Sequence, residues 1–433
     1  MPHLVKNLKS MLLKHVIKLP QYVCDKNYLT SPYVSAEHLK AVALYQQQRD
    51  LHLAPNLKLS LFTPGHFKKM KVSQALHVFS KASSAALRYL VAEEGYPDQF
   101  NTTAWFVDQV NHWFDLICSR HPVMALSKVQ PDKYEQATAF LKSFTQMISR
   151  CCIGEKGGWK PVQAGVILST NSILEAADEL LAISPFVLTS RFSQDCLENL
   201  FSTIRFKDPI PTPIEFKNAL KLISVSQFLK TTSNSSYDVD DSDYLADFLS
   251  VKSVGPADPP DELYLTFAEL SARPQLLRGE ESALYYLAGY CVQSLKKQHQ
   301  LCDICVQAAK HVGDDHRLGA LLRLKEYVPD ALFDVNTKVY DICHATELRF
   351  RQLESRIKSI TNPRRAILQD MMKESVVMNT QLPECHKLKQ KLLFKFLTVR
   401  LQILCKKLRN LLPNAAVSLG SKSAAMHELV NYV

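Results

Sequence analysis

Apolar residues recur at three- and four-residue intervals along most of this 433-residue chain. That period constrains the fold more than any single motif, because it is the spacing of one face of an α-helix. Leu4, Leu8, Met11, Leu12 and Val16 follow it over residues 1–20, until Pro20 stops the pattern. Leu39, Val42, Ala43 and Tyr45 follow it over 36–50. A long pattern runs from Met70 to Val91, and another over 102–119 puts Trp105, Phe106, Val110, Trp113 and Ile117 on one face. Residues 133–152 and 171–183 continue the series. Only 12 glycines occur, which suits helices. The two strand-like runs, GVILST and PFVLTS, read equally as helix or loop. The expected class is mainly α.

Thr231–Pro260 breaks the pattern with Ser, Asp and Pro, and reads as a flexible acidic linker. Helical patterning resumes beyond it. No apolar run reaches the ~18 residues needed to span a bilayer, so no membrane partner is expected. Eleven cysteines at scattered spacings suit reduced thiols in the nucleus or cytoplasm. A net charge of +10 admits an anionic partner.

Three local features carry possible chemistry. In SQDCLENLFSTIR, Ser193 is placed to cap a helix. Leu197, Leu200, Phe201 and Ile204 would be its buried stripe, and Asp195 and Glu198 would share another face. Two such carboxylates either hold Mg²⁺, which takes oxygen ligands, or simply cap and solvate the helix. Cys302 and Cys305 form a C-x-x-C pair. Cys343-His344 or Cys385-His386 could complete a tetrahedral zinc set, against the plainer reading of two thiols in a helical core. Between His386 and Met426 no acid occurs, while Lys387, Lys389, Lys391, Lys395, Arg400, Lys406, Lys407 and Arg409 accumulate. Such a segment either neutralises DNA phosphates or is a solvated basic face paired with the acidic linker.

SQDCLENLFSTIR resembles the motif around the third catalytic carboxylate of P-element-type, THAP-related transposases, through Gln194, Asp195, Glu198, Asn199, Phe201, Ile204 and Arg205. Collinear segments extend the resemblance. MPHLVKNLKSMLL is similar to the segment after the family's second catalytic Asp, and HFKKMKVSQALHVFSKASSAAL to the start of its GTP-binding insertion. FVDQVNHWFDLICSR resembles a later insertion helix, and YYLAGYCVQSL and LGSKSAAMHELV resemble the C-terminal region.

The resemblance implies a helical insertion domain attached to an incomplete RNase H-like fold, with a C-terminal helical domain. The implied segments are an RNase H-like helix at 1–35, the insertion at 36–165, closing helices at 166–230, the linker at 231–262 and the C-terminal domain at 263–433. It implies Glu198 as the third catalytic carboxylate and a Mg²⁺ ligand, with Asp195 as the neighbouring acid. The other two acids of a two-metal site find no match: Met1 stands where the second would be, so an N-terminally truncated, strand-transfer-inactive copy is expected.

For GTP, the resemblance implies contacts from Lys71, Val72, Ser80, Phe114 and Asp115, with Asp50 and Lys58 as looser matches. Lys68 and Lys69 would add cations for phosphate, and Cys118 replaces a family Asn. No phosphate-binding P-loop is present: Gly420-Ser421-Lys422-Ser423 lacks the spacing and the preceding strand. Three functions stay open. They are a catalytically dead nucleotide- and DNA-binding remnant, able to pair with itself or with full-length transposase; a piece of a longer active transposase; and a helical scaffold without nucleotide binding.

Overall fold

The computed structural model describes residues 2–65, 71–205, 208–229, 275–313, 316–326, 328, 331–357, 360 and 362–411. The linker expected at 231–262, Lys68, Lys69 and the Gly420–Ser423 segment lie outside them. Helices dominate, as the spacing predicts, and the described residues fall into two compact units. Unit 1 draws on Met1–Ala43 and Asn56–Asp247, and unit 2 on Leu44–Pro55 and Phe248–Val433.

Unit 1 contains α1 (Pro2–Lys14), α2 (Gln21–Lys26) and most of α3 (Ala36–Tyr45). It continues with α4 (Val72–Val78), α5 (Lys81–Glu94), α6 (Gln99–Ile117), α7 (Pro131–Arg150), α8 (Pro161–Leu180), α9 (Asp195–Ile204) and α10 (Pro213–Leu229). Its core forms where α6, α7 and α8 meet. Trp113 is fully buried, stacks on Phe144 at 5.3 Å and donates its indole N–H to Thr170 Oγ1 at 2.9 Å. A buried indole needs that acceptor, since its unbonded N–H would be desolvated without return. Phe106, Val110 and Ile117 are buried beside it, as their spacing on α6 predicts.

The structure corrects several local expectations. The first helix stops at Lys14, not Pro20; Ile17–Lys18 is β1, the centre of a three-stranded antiparallel sheet with β2 (Tyr33–Val34) and β3 (Cys152–Ile153). These two-residue strands are too short to carry a period, which is why the sequence conceals them. Of the two runs left open between helix and loop, GVILST is helical within α8, while in PFVLTS Val187 bridges Leu126 and Thr189 begins a 3₁₀ turn. The Met70–Val91 pattern is two helices, because Ser80 turns extended and its Oγ accepts from Ser83 N–H at 3.2 Å, starting α5 afresh.

Unit 2 has α11 (Glu280–Lys297), α12 (Asp303–Ala309), α13 (Ala320–Lys325), α14 (Thr337–Leu353), α15 (Pro363–Met371), α16 (Ser375–Asn379) and α17 (Leu388–Leu411). α11 packs on α13, α14 and α17. Leu392, Leu393, Phe396, Leu397 and Leu401 of α17 are buried. At its edge Gly279 is left-handed (φ +84°), and a Cβ there would collide with the Tyr45 hydroxyl. Only glycine satisfies both demands.

Candidate functional site

In unit 1, α4 presents Lys71, Gln74 and His77 at intervals of three, on one side of the helix and its cap. Together with Asn56, Lys58, Ser60, Leu61 and Ser73 they line an open cavity of about 290 Å³. Its electrostatics are one-sided. Lys9 of α1, which packs on α4, is 5% exposed, and burial lowers its pKa to about 8. Burial also lowers the pKa of His77, and the positive charges of Lys58 and Lys9 lower it further. Among the described residues no carboxylate forms an ion pair with Lys9, Lys58 or Lys71. Gln74 Oε1 is buried without a hydrogen-bond partner there. Cations without counter-charge beside an unsatisfied polar atom make a site for an anion with its own donors.

The other expected nucleotide contacts are distributed differently. Val72 is the first residue of α4, and Ser80 spends its hydroxyl on the α5 cap. Phe114 and Asp115 lie half-buried near the end of α6, outside the cavity lining. Asp115 accepts from Asn111 Nδ2 at 2.9 Å, and burial raises its pKa to about 6. Asp50 belongs to unit 2, where it takes Lys407 Nζ at 2.7 Å. Lys9, Gln74 and His77 belong to no motif; the three-residue spacing of Lys71, Gln74 and His77 is the signal the sequence offers for the last two.

Glu198 lies on α9, 53% exposed, with Oε1 at 2.7 Å from His3 Nε2 at the start of α1. The two side chains thus meet across a separation of 195 residues. Among the described residues Glu198 joins no cluster of three or more metal-ligating groups. The described set does not fit a Mg²⁺ centre, which needs several oxygen ligands. Asp195 is the first residue of α9, with its side chain outside the described set. The cap is Gln194, one residue later than expected, and makes no side-chain cap bond. The expected buried stripe is open: Ile204 is buried, whereas Leu197 and Phe201 are exposed and Leu200 is half-buried. α1 is the reverse, with Val5, Leu8 and Leu12 covered by α4 and α8.

Unit 2 uses its charge internally. Glu280, fully buried, accepts from Arg351 Nη2 at 2.8 Å and from the N–H groups of Asp50, Leu51 and Leu277 at 2.9, 3.1 and 2.8 Å. Glu347, also fully buried, takes Arg351 Nε at 2.8 Å and Arg400 Nη2 at 2.9 Å. Lys407 bridges Asp50 and Glu354. Lys389 donates to the carbonyls of Val377 and Met378, and Lys391 to that of Gln300. Half of the cations noted in the basic terminal segment are thus committed to the unit's own packing.

A family model described as "TNP-like, GTP-binding insertion domain" matches residues 12–130, a span that holds the cavity. A curated relative, the transposable element P transposase of Drosophila melanogaster, is 26% identical over 229 residues. This chain is related to P-element-type transposases. The alignment takes in 51% of this chain and 29% of the relative, so the chain spans under a third of that protein's length. The Drosophila P element transposase strand transfer complex overlaps 53% of this chain and 51% of its own, at 21% identity and a TM-score of 0.45. Among the described residues no helix is long and apolar enough to cross a membrane.

Proposed function

We propose that unit 1 binds a guanine nucleotide, with Lys58 and Lys71 on its phosphates and the charge of Lys9 reinforcing them. The carrying observation is the cationic cavity without matching carboxylates, inside the region matched by the GTP-binding insertion family. Its volume, about 290 Å³, is at the small end of ligand sites, which run roughly 300–1,000 Å³. It suits a phosphate tail, with the base held elsewhere. In this proposal the base lies against Phe114, and Asp115 accepts from the guanine N1–H and N2–H₂. Above pH 6 that carboxyl is ionised and acts only as an acceptor.

Calorimetry with GTP, ATP and pyrophosphate tests this. GTP is expected to bind, and Lys58→Ala/Lys71→Ala to weaken both GTP and pyrophosphate at least tenfold. Asp115→Ala is expected to weaken GTP and leave pyrophosphate unchanged. No heat at millimolar GTP would overturn the reading.

By the same kinship we propose DNA as the macromolecular partner and the nucleus as the place of action, without strand transfer by this chain. The pairing of Glu198 with an imidazole instead of a second described carboxylate supports the last point. DNA cleavage or joining in Mg²⁺ or Mn²⁺ that Glu198→Gln abolishes would refute it.

A further inference from the structure

Unit 2 gathers four metal-ligating side chains from two distant stretches of chain. Cys302 caps α12 and Cys305 is its third residue, so both thiols stand at the start of that helix. Cys385 and His386 come from the turn before α17. Cys385 Sγ is 3.3 Å from Cys305 Sγ and 3.7 Å from Cys302 Sγ. His386 Nδ1 is 3.3 Å from Cys385 Sγ and 3.8 Å from Cys305 Sγ. All four ligand atoms lie within 4.8 Å of one another.

With Zn–S near 2.3 Å and Zn–N near 2.05 Å, a tetrahedral ion sets ligand–ligand edges of about 3.8 Å for S–S and about 3.5 Å for S–N. These four separations fall within about half an ångström of those edges. They are far longer than the ~2.05 Å of a disulfide, and Cys302, Cys305 and Cys385 are free thiols. A further feature holds the set in place. Lys387 is left-handed (φ +51°) and its N–H closes on the Glu384 carbonyl at 3.0 Å, a turn that folds Cys385 and His386 to the same side. The alternative pair does not contribute: Cys343 is buried in the core on α14, and His344 lies by Tyr340.

We propose that Cys302, Cys305, Cys385 and His386 form a Cys₃His zinc site in unit 2. Three thiolates select a soft or borderline ion over Mg²⁺ or Ca²⁺. Four protein ligands close the coordination shell, so the ion is structural and leaves no position for substrate. It pins the start of α12 to the entry of α17, a junction that Lys391 also crosses. Three deprotonated thiols on Zn²⁺ leave the cluster with one net negative charge.

The full chain, purified under reducing conditions without chelator, is analysed by inductively coupled plasma mass spectrometry. About one zinc per chain is expected. Cys302→Ser/Cys385→Ser is expected to lose it, and Cys152→Ser in unit 1 to keep it. Where the double variant fails to fold, His386→Cys serves instead. Its cobalt-loaded form is expected to keep tetrahedral d–d bands and to gain sulfur-to-cobalt charge transfer over the cobalt-loaded parent. Folded, reduced protein without zinc, zinc retained by the double variant, or an unchanged cobalt spectrum in His386→Cys would each overturn the site. None of these readouts depends on nucleotide.

Discussion

The α4 cavity of unit 1 and the core of unit 2 treat positive charge in opposite ways. In unit 2, Arg351, Arg400 and Lys407 each face a carboxylate, and two of those carboxylates are completely buried. In unit 1, Lys9, Lys58 and Lys71 have no ion-paired carboxylate among the described residues, and the charges of Lys58 and Lys9 hold down the pKa of His77. The lesson is that a count of basic residues does not locate an anion site. The densest basic run in the sequence has half of its named cations committed to structure, while the sparser cluster has charge to offer a ligand.

The sharpest way to break that comparison is to remove one buried partner. Glu347→Ala strands the 2%-exposed Arg400 and removes one of the two carboxylates that hold Arg351. It is expected to destabilise unit 2 by about 3–5 kcal/mol, read by denaturant unfolding. Lys58→Ala/Lys71→Ala is expected to leave stability unchanged or slightly raised, because it relieves like-charge repulsion. Its expected tenfold or greater loss in pyrophosphate affinity corresponds to about 1.4 kcal/mol or more. The same affinity should fall as pH rises through about 8, where buried Lys9 gives up its proton. A flat pH profile between 7 and 9 would remove Lys9 from the site.

Asp115 gives a smaller, sign-specific effect. Its folded pKa, about 6, lies above its ordinary value of 3.8. The native state therefore holds a proton that the unfolded state releases, and stability declines as pH rises between those two values. Asp115→Asn should raise stability at pH 7–8 by about 1–2 kcal/mol after allowing for partial exposure, and change little below pH 4. The smallest effect is expected from Lys407→Ala. Its partners Asp50 and Glu354 are partly exposed, so the loss is on the order of 0.5 kcal/mol in thermal unfolding.

What the sequence made legible follows from the reach of each interaction. Helix content and the α6 core face were readable because period and burial act within one element: Phe106, Val110, Trp113 and Ile117 are all fully buried. The α9 stripe failed because a pattern states only that a face is apolar, not that anything covers it. Leu197 and Phe201 share their face with Ile204, yet only Ile204 is buried. Lys58 and Lys71 line one cavity, but the sequence could not supply Lys9, which arrives with α1. Nor could it choose between Cys343-His344 and Cys385-His386, because separations of some 40 and 80 residues carry no geometry. The fate of Asp50 was hidden for the same reason.

That fate has a consequence for how the molecule assembles. The amides of Asp50 and Leu51 reach Glu280 across sequence separations of 230 and 229 residues. During synthesis, Leu44–Pro55 emerges long before its acceptor exists, so unit 2 cannot mature until α11 has been translated. Closing so long a loop is entropically uphill before any native contact repays it. A refolding experiment should therefore find unit 2 acquiring protection from hydrogen exchange after unit 1. Adding the 44–55 peptide in trans should speed a C-terminal fragment that lacks it.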